Sequence, residues 1–370
     1  MLYLDNAATS FPKPPAILKE VKQCVSEYCA NPGRGSHHLA LRSAEEIYLT
    51  RESVSKLFSL ESPENVVFTL NATYALNIAI KSVLTENCHV ITSDMEHNAV
   101  LRPLYSLSKK SGLRYSVFST SDDIEKSIEA LICHDTKAII STLASNVTGK
   151  TVSLEKLNKI AKKHNLILIL DASQLVGHEI IELKNCRQAI LCAPGHKGLF
   201  GMQGCGFAVF KDISPLSTLI EGGTGYGSAQ LEMPLYLPEH FEAGTLPTPS
   251  IVSLRRGIEF INSYGIKNIS DKIRDTTDCF TERLASIRNV RMFGGENGII
   301  SFLIEGVSVE AVAARLKSYD ICAREGLHCA PLAHKTLGTD KTGLIRISLS
   351  IFNQKKDADI LYEALRPAFV

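Results

Sequence analysis

Asp171 ends the apolar run Leu166-Ile167-Leu168-Ile169-Leu170 and opens the turn Ala172-Ser173-Gln174; further on, Lys197 lies in Ala193-Pro194-Gly195-His196-Lys197-Gly198. A lysine amine at the tip of a glycine-flanked turn can condense with an aldehyde as a Schiff base. A carboxylate beside it can keep a pyridine nitrogen protonated so that the ring accepts electrons from a carbanion. Together these are the demands of pyridoxal 5'-phosphate chemistry. Either residue alone is commonplace, since charged side chains at strand ends and in loops are mostly solvated. The pair in this setting carries the inference.

For those two groups to meet, several strand ends must converge. Between about residues 60 and 210, β-rich runs at 65–69, 89–93, 137–143, 166–170, 189–192 and 206–210 alternate with helical patterns. That alternation predicts βαβ units and a mostly parallel sheet, an α/β fold. The first five runs lead into polar or small-residue loops: Asn71-Ala72-Thr73, Glu96-His97-Asn98, Ser145-Asn146, Asp171-Ala172-Ser173-Gln174 and Gly195-His196-Lys197. Ligands of open α/β sheets bind beyond the C-terminal strand ends, so Thr73, His97, Asn146, Asp171, Gln174 and Lys197 are expected at one site. Thr73 and its neighbours precede a helical pattern over 75–83 and can offer N–H groups and a hydroxyl to a phosphate. A helix cap is the competing use of that hydroxyl. His97 can stack on a planar ring or move protons. Asn146 can donate to a carboxylate or a phenolic oxygen, or simply form an Asx-turn. Gln174 can reach the same phenolic oxygen.

The 370 residues exceed what one core usually holds. A large domain at 15–250 and a smaller α+β domain built from 1–14 and 251–370 are expected. The boundary falls after the loop-like stretch from Gly222 to Pro249, beyond which 251–263 is helical. The smaller domain reads as strand 298–304, helix 308–319, strand 344–350 and helix 357–365. Forty Lys and Arg against 39 Asp and Glu give a net charge of +1, so nothing draws the chain to nucleic acid or to an anionic membrane. The start, Met1-Leu2-Tyr3-Leu4-Asp5, lacks a basic targeting region, and no run approaches the roughly 20 apolar residues of a membrane span. A soluble cytoplasmic protein is expected. The ten cysteines show neither a Cys-x-x-Cys pair nor metal-ligand spacing, which predicts reduced thiols and no metal site.

These motifs carry a resemblance. From Tyr3-Leu4-Asp5-Asn6-Ala7-Ala8-Thr9, through Arg34-Gly35-Ser36-His37 and the strand-end loops, to Phe241-Glu242-Ala243-Gly244-Thr245, the chain resembles the class V aminotransferase-fold enzymes. Within them it is similar to the cysteine desulfurases and selenocysteine lyases. The resemblance implies the PLP-dependent transferase fold type I. It makes Lys197 the Schiff-base lysine, pairs Asp171 with the pyridinium, sets Gln174 at the phenolic oxygen, stacks His97 on the ring, and places Ala72, Thr73 and His196 at the phosphate. It also implies a homodimer in which Gly244 and Thr245 approach the partner's phosphate. Arg324-Glu325-Gly326-Leu327-His328-Cys329-Ala330 resembles the Arg-x-Gly-x-His-Cys-Ala segment of the group II cysteine desulfurases, in which the cysteine takes sulfur from the substrate. A thiolate is needed for that attack, and Arg324 and His328 are candidates to favour it. Arg346 interrupts an apolar strand, so its guanidinium needs a partner: a substrate carboxylate, as the resemblance implies, or an internal acid.

The activity so implied is conversion of L-cysteine to alanine, with the sulfur left on Cys329 as a persulfide for an acceptor protein and His97 as proton shuttle. Selenocysteine lyase, a class V transaminase or epimerase, and a non-catalytic sulfur carrier are the alternatives. Two departures concern the phosphate. Related desulfurases commonly carry serine at Pro194 and often threonine at Ala72, so two phosphate contacts are expected to be missing.

Overall fold

The computed structural model describes residues 1–33, 35–84, 86–214 and 217–366; Arg34 of the Arg34-Gly35-Ser36-His37 segment and residues 367–370 of the smaller domain lie outside them. The chain opens with β1 (Leu2–Tyr3), α1 (Pro15–Gln23) and α2 (His38–Leu57). The alternating part follows: β2 (Val66–Thr69), α3 (Ala72–Val83), β3 (His89–Ser93), α4 (Asn98–Lys110), β4 (Arg114–Phe118), α5 (Ile124–Glu129), β5 (Thr136–Thr142), α6 (Leu154–His164), β6 (Ile167–Asp171), β7 (Ala189–Pro194) and β8 (Gly206–Lys211). The rest is α7 (Thr248–Tyr264), α8 (Ile266–Ala285), β9 (Val290–Glu296), β10 (Ile299–Ile304), α9 (Val309–Ser318), β11 (Ile321–Cys322), β12 (Arg324–Gly326), α10 (Pro331–Leu337), β13 (Leu344–Ser348) and α11 (Asp357–Leu365).

Seven strands form the large sheet in the order β2-β8-β7-β6-β5-β3-β4, and only β8 runs against the others. The architecture is α/β with a mostly parallel sheet. Its inner strands are near-continuous apolar runs because helices cover both faces: Leu168, Ile169 and Leu170 are all fully buried. β4 escaped the sequence reading for a physical reason. As an edge strand it buries only Phe118, so Arg114-Tyr115-Ser116-Val117 leave no apolar run to recognise.

The second sheet is antiparallel, β12-β13-β10-β9, and β1 pairs in parallel with β11. Its core joins Ile300, Phe302, Ile345 and Ile347 to Phe280 and Leu284 of α8, Val312 of α9, Leu361 of α11 and Leu4 of the N-terminal segment. Ile251, Leu254, Ile258 and Ile261 of α7, with Ile269 and Ile273 of α8, pack instead into the large-sheet core. α8 therefore has its first half in one core and its second half in the other. Residues 4–10 run between the two sheets: Ser348 N–H donates to Leu4 O, and Ser10 N–H donates to His196 O. Among the described residues no helix is long and apolar enough to cross a membrane.

Candidate active site

The C-terminal ends of β2, β3, β5, β6 and β7 surround one pocket, whose walls include Ala72, Thr73, His97, Asn146, Asp171, Gln174, Pro194, His196 and Lys197. Every strand-end residue expected from the sequence meets there. Gly244 and Thr245 do not; both are exposed, and Gly244 borders a different cavity with Arg51 and Glu242.

At one end of the pocket α3 begins. Asn71 is its cap, the side chain accepting from Tyr74 N at 3.1 Å, so Thr73 does not serve as the cap. The first N–H groups of a helix have no intrahelical acceptor. Those of Ala72 and Thr73, with the exposed Thr73 hydroxyl, are therefore free at the pocket wall, where the helix dipole favours an anion. The helix end can come this close to β8 because residue 206 is glycine. A Cβ there would lie 2.5 Å from Asn71 C and 2.8 Å from Ala72 N, both backbone atoms that cannot swing aside. Gly206→Ala is expected to push the start of α3 outward and destabilise the fold by about 1–3 kcal/mol. Denaturant titration reads the stability loss, and the affinity of the purified protein for inorganic phosphate, measured by calorimetry, should fall with it.

His196 is held by the N-terminal segment. Its Nδ1 lies 3.0 Å from Thr9 Oγ1, while its carbonyl accepts from Ser10 Oγ at 3.1 Å and from Lys13 Nζ at 2.9 Å. Burial pushes its imidazole down to about 4, with Lys197 and Lys13 adding to the effect, so the ring is neutral at pH 7. Pro194 lines the same wall without an N–H to give.

Asp171 ends β6, between Thr142 of β5 and Cys192 of β7. It is buried, and Oδ1 accepts from Ser173 N at 2.9 Å. Gln174 Nε2 donates to Ala7 O at 3.1 Å, which fixes the amide against the N-terminal segment. His97 caps α4, its Nδ1 accepting from Ala99 N at 3.0 Å, so the neutral ring carries its proton on Nε2. Burial lowers its pKa, Asp171 opposes this, and Lys197 reinforces it. The Lys197 amine is pushed down to about 8, by burial first; Asp171 works in the other direction, and Arg346 and Arg324 add to the fall.

Arg346 of β13 is 1 % exposed. NH2 donates to Asp5 Oδ1 at 3.0 Å and NH1 to Asn146 O at 3.0 Å, while the buried Nε has no acceptor among the described residues. The internal acid weighed from the sequence is thus present. A guanidinium has five N–H donors, and two are used here, so three remain for another acceptor. The Asn146 amide is engaged as well, with Nδ2 donating to His328 O at 2.7 Å.

That bond anchors the cysteine segment. The next carbonyl, of Cys329, accepts from Asn98 N at 2.7 Å, so the two loops that present Asn146 and His97 also hold residues 328 and 329. His328 and Cys329 have φ of +49° and +56°, a strained pair of non-glycine residues that these bonds keep in place. The Cys329 side chain is exposed, with Arg324 NH2 3.9 Å from Sγ. His328 cannot add positive charge there. Its Nδ1 lies 3.4 Å from His334 Nε2, its Nε2 lies 3.3 Å from Arg324 O, and burial first, then Arg346, pushes it down to about 3.

Glu96, beside His97, went unweighed in the sequence. It is fully buried; Oε1 accepts from Ser93 Oγ and from Thr142 N, and Oε2 has no partner among the described residues. Burial raises its pKa to about 8, with Asp171 adding to the rise. The folded protein therefore holds this proton between the unfolded carboxylate range and pH 8, and stability falls as pH rises through that window. The loss approaches on the order of 5 kcal/mol above pH 8. Glu96→Gln should match the wild type in urea unfolding near pH 5 and exceed it near pH 8.5; equal stabilities at both would contradict a protonated Glu96. Among the described residues no His, Cys, Asp and Glu group is arranged to hold a metal ion.

The chain matches the family Aminotransferase class-V over residues 2–361. It is 29% identical to a probable cysteine desulfurase of Methanothermobacter thermautotrophicus, over 98% of this chain and 94% of that protein. It is likewise 29% identical to a probable cysteine desulfurase of Pyrococcus abyssi, over 97% and 92%. The apo structure of cysteine desulfurase from Thermococcus onnurineus NA1 superposes with a TM-score of 0.87 at 26% identity, covering 100% of this chain and 94% of that one. The cysteine desulfurase CsdA of Escherichia coli, in an S-sulfonic acid form, shares the fold with a TM-score of 0.86 at 24% identity, over 98% and 93%.

Proposed function

This chain belongs to the aminotransferase class-V family, and from that premise we propose that it is a pyridoxal phosphate-dependent cysteine desulfurase. Its architecture is the fold type I of PLP-dependent enzymes. The observation that carries the proposal is the position of Cys329. Its backbone is bonded to the residue after His97, its neighbour's to Asn146, and a guanidinium lies beside its sulfur, while His97 and Asn146 line the same pocket as Lys197 and Asp171.

The pocket suits the cofactor on its own chemistry. Free N–H groups at the start of a helix fit a phosphate, and a buried carboxylate with an oxygen to spare fits a protonated ring nitrogen. Ala72 and Thr73 would hold the phosphate with His196, Asp171 the ring nitrogen, Gln174 the phenolic oxygen and His97 the ring face. Gly244 and Thr245, exposed and outside this pocket, would serve the partner's site in a homodimer. Bound there, the cofactor supplies an electron sink for the carbanion left when the substrate loses its Cα proton.

The protein's own groups do the rest. Arg346 and Asn146 orient the substrate carboxylate. Lys197, with its lowered pKa, takes the Cα proton as a neutral amine. His97 Nε2–H and Lys197 are within the pocket to return protons to the carbon skeleton. Cys329 attacks as a thiolate, with Arg324 stabilising the negative sulfur; the substrate's C–S bond breaks, the sulfur stays on Cys329 as a persulfide, and alanine leaves. The persulfide sulfur then passes to an acceptor.

The test is turnover by the purified protein, supplied with pyridoxal phosphate and L-cysteine under a reductant. Alanine and sulfide in equal amounts are expected. A cofactor absorbance band that responds to L-cysteine without formation of alanine would replace this reading with transamination or epimerisation.

A further inference from the structure

Helix α1 does not end in an ordinary last turn. Cys24–Tyr28 form a π-helical turn, in which backbone hydrogen bonds run to the fifth residue rather than the fourth, and Cys29 follows directly. In an α-helix, residues five apart sit about 7.5 Å apart along the axis and point about 140° away from each other. The wider turn reduces both that axial distance and that angle, and Cys29 is the fifth residue after Cys24. The two thiols differ in access: Cys24 is buried with Tyr28 and Val252 of α7, and Cys29 is exposed. They also sense each other, for the Cys24 thiol is pushed up to about 12 by burial and next by the Cys29 thiol. The turn is braced on both sides. Tyr28 donates its hydroxyl to Glu20 Oε1 at 2.7 Å, and Ala30 N donates to Ser43 Oγ at 3.2 Å.

We propose that Cys24 and Cys29 are a redox-active dithiol that small-molecule disulfides convert to an internal disulfide. Cys29, as thiolate, attacks one sulfur of R–S–S–R; that bond breaks, one R–S⁻ leaves, and Cys29 carries a mixed disulfide. Cys24 then gives its proton to the released thiolate and attacks the Cys29 sulfur, expelling the second R–S⁻. The protein loses two electrons and two protons, and the small disulfide is reduced to two thiols. The exposed residue meets the oxidant and the buried one resolves it, in keeping with their different access. A disulfide needs Cα atoms about 4.4–6.8 Å apart, closer than residues five apart come in a regular α-helix, and the π turn shortens that separation. Closure would lock the turn from which the chain passes to Asn31, Pro32 and Gly33, at the cavity beside Arg51 and Gly244.

Trypsin releases residues 23–34 as one peptide with no third cysteine. After reduced full-length protein is incubated with oxidised glutathione, mass spectrometry of that peptide is expected to read a loss of two hydrogens, about 2 Da, with both thiols closed to alkylation. Cys24→Ser should retain one glutathione on Cys29, and Cys29→Ser should leave Cys24 a free thiol; Cys24→Ala repeats the first variant with an apolar replacement. A wild-type peptide that still alkylates twice, or that holds glutathione on Cys29 which Cys24 does not displace, would overturn the proposal.

Discussion

Lys197→Ala is expected to lower alanine formation from L-cysteine by about 10³-fold or more, since it removes both the amine that binds the cofactor and the base that takes the Cα proton. The magnitude rests on the amine's surroundings. Burial brings its pKa to about 8, against the pull of Asp171 and with the help of Arg346 and Arg324. At pH 7.5 roughly a quarter of such amines are neutral, whereas an ordinary lysine would have about one in a thousand ready to act. The pocket thus supplies a usable base that loop exposure would not. Two further results follow. The rate at which cofactor-depleted protein takes up pyridoxal phosphate should rise with pH and level off near 8, well below the ordinary lysine range. Lys197→Arg should be as inactive as the alanine variant, because a guanidinium keeps its proton. Stability should not fall in Lys197→Ala: a lysine whose pKa drops on folding lowers stability below pH 8, and that cost disappears with the side chain. An alanine variant that folds and retains a tenth of the activity would remove Lys197 from the chemistry.

Much of this site could be read in the sequence because the fold collects strand-end loops. Thr73, His97, Asn146, Asp171, Gln174 and Lys197 each follow an apolar run, and a parallel sheet leaves them little choice but to meet. What could not be read depends on contacts distant in sequence. Asp5 and Arg346 are joined by an ion pair across nearly the whole chain, so nothing local to Arg346 reveals this internal acid, and the resemblance favours the substrate carboxylate. Glu96 looks like any loop glutamate; its proton follows from burial, which outweighs the hydrogen bonds from Ser93 and Thr142 that favour the carboxylate. His328 seemed a charge donor because it adjoins Cys329. Its ring turns instead toward His334, and burial neutralises it. β4 and the π turn after α1 left no periodic signal, one because an edge strand needs few apolar residues, the other because it is a local change of helical pitch.

Cys329→Ala is expected to end alanine formation from L-cysteine, by roughly the 10³-fold or more that removal of a nucleophile brings, while pyridoxal phosphate binding is retained. The separation is sharp because the side chain does so little else. Cys329 is exposed, its sulfur has Arg324 NH2 at 3.9 Å as its one hydrogen-bonding neighbour among the described residues, and the Asn98 contact that holds it uses the backbone carbonyl. Alanine at φ +56° faces the same left-handed strain as cysteine, so the loop should keep its path. The cofactor's absorbance and the protein's unfolding midpoint should therefore match those of the wild type. A transaminase or an epimerase would turn over at nearly the wild-type rate without this thiol. Cys329→Ser sharpens the question of sulfur against selenium. A selenol leaves carbon more readily than a thiol, so a site able to handle both should lose L-cysteine turnover in this variant and keep that of L-selenocysteine. Loss of both would make the thiolate the attacking group for either substrate. Arg324→Ala should give a smaller loss of alanine formation, because the guanidinium 3.9 Å from the sulfur is placed to stabilise the charge the sulfur carries as it attacks.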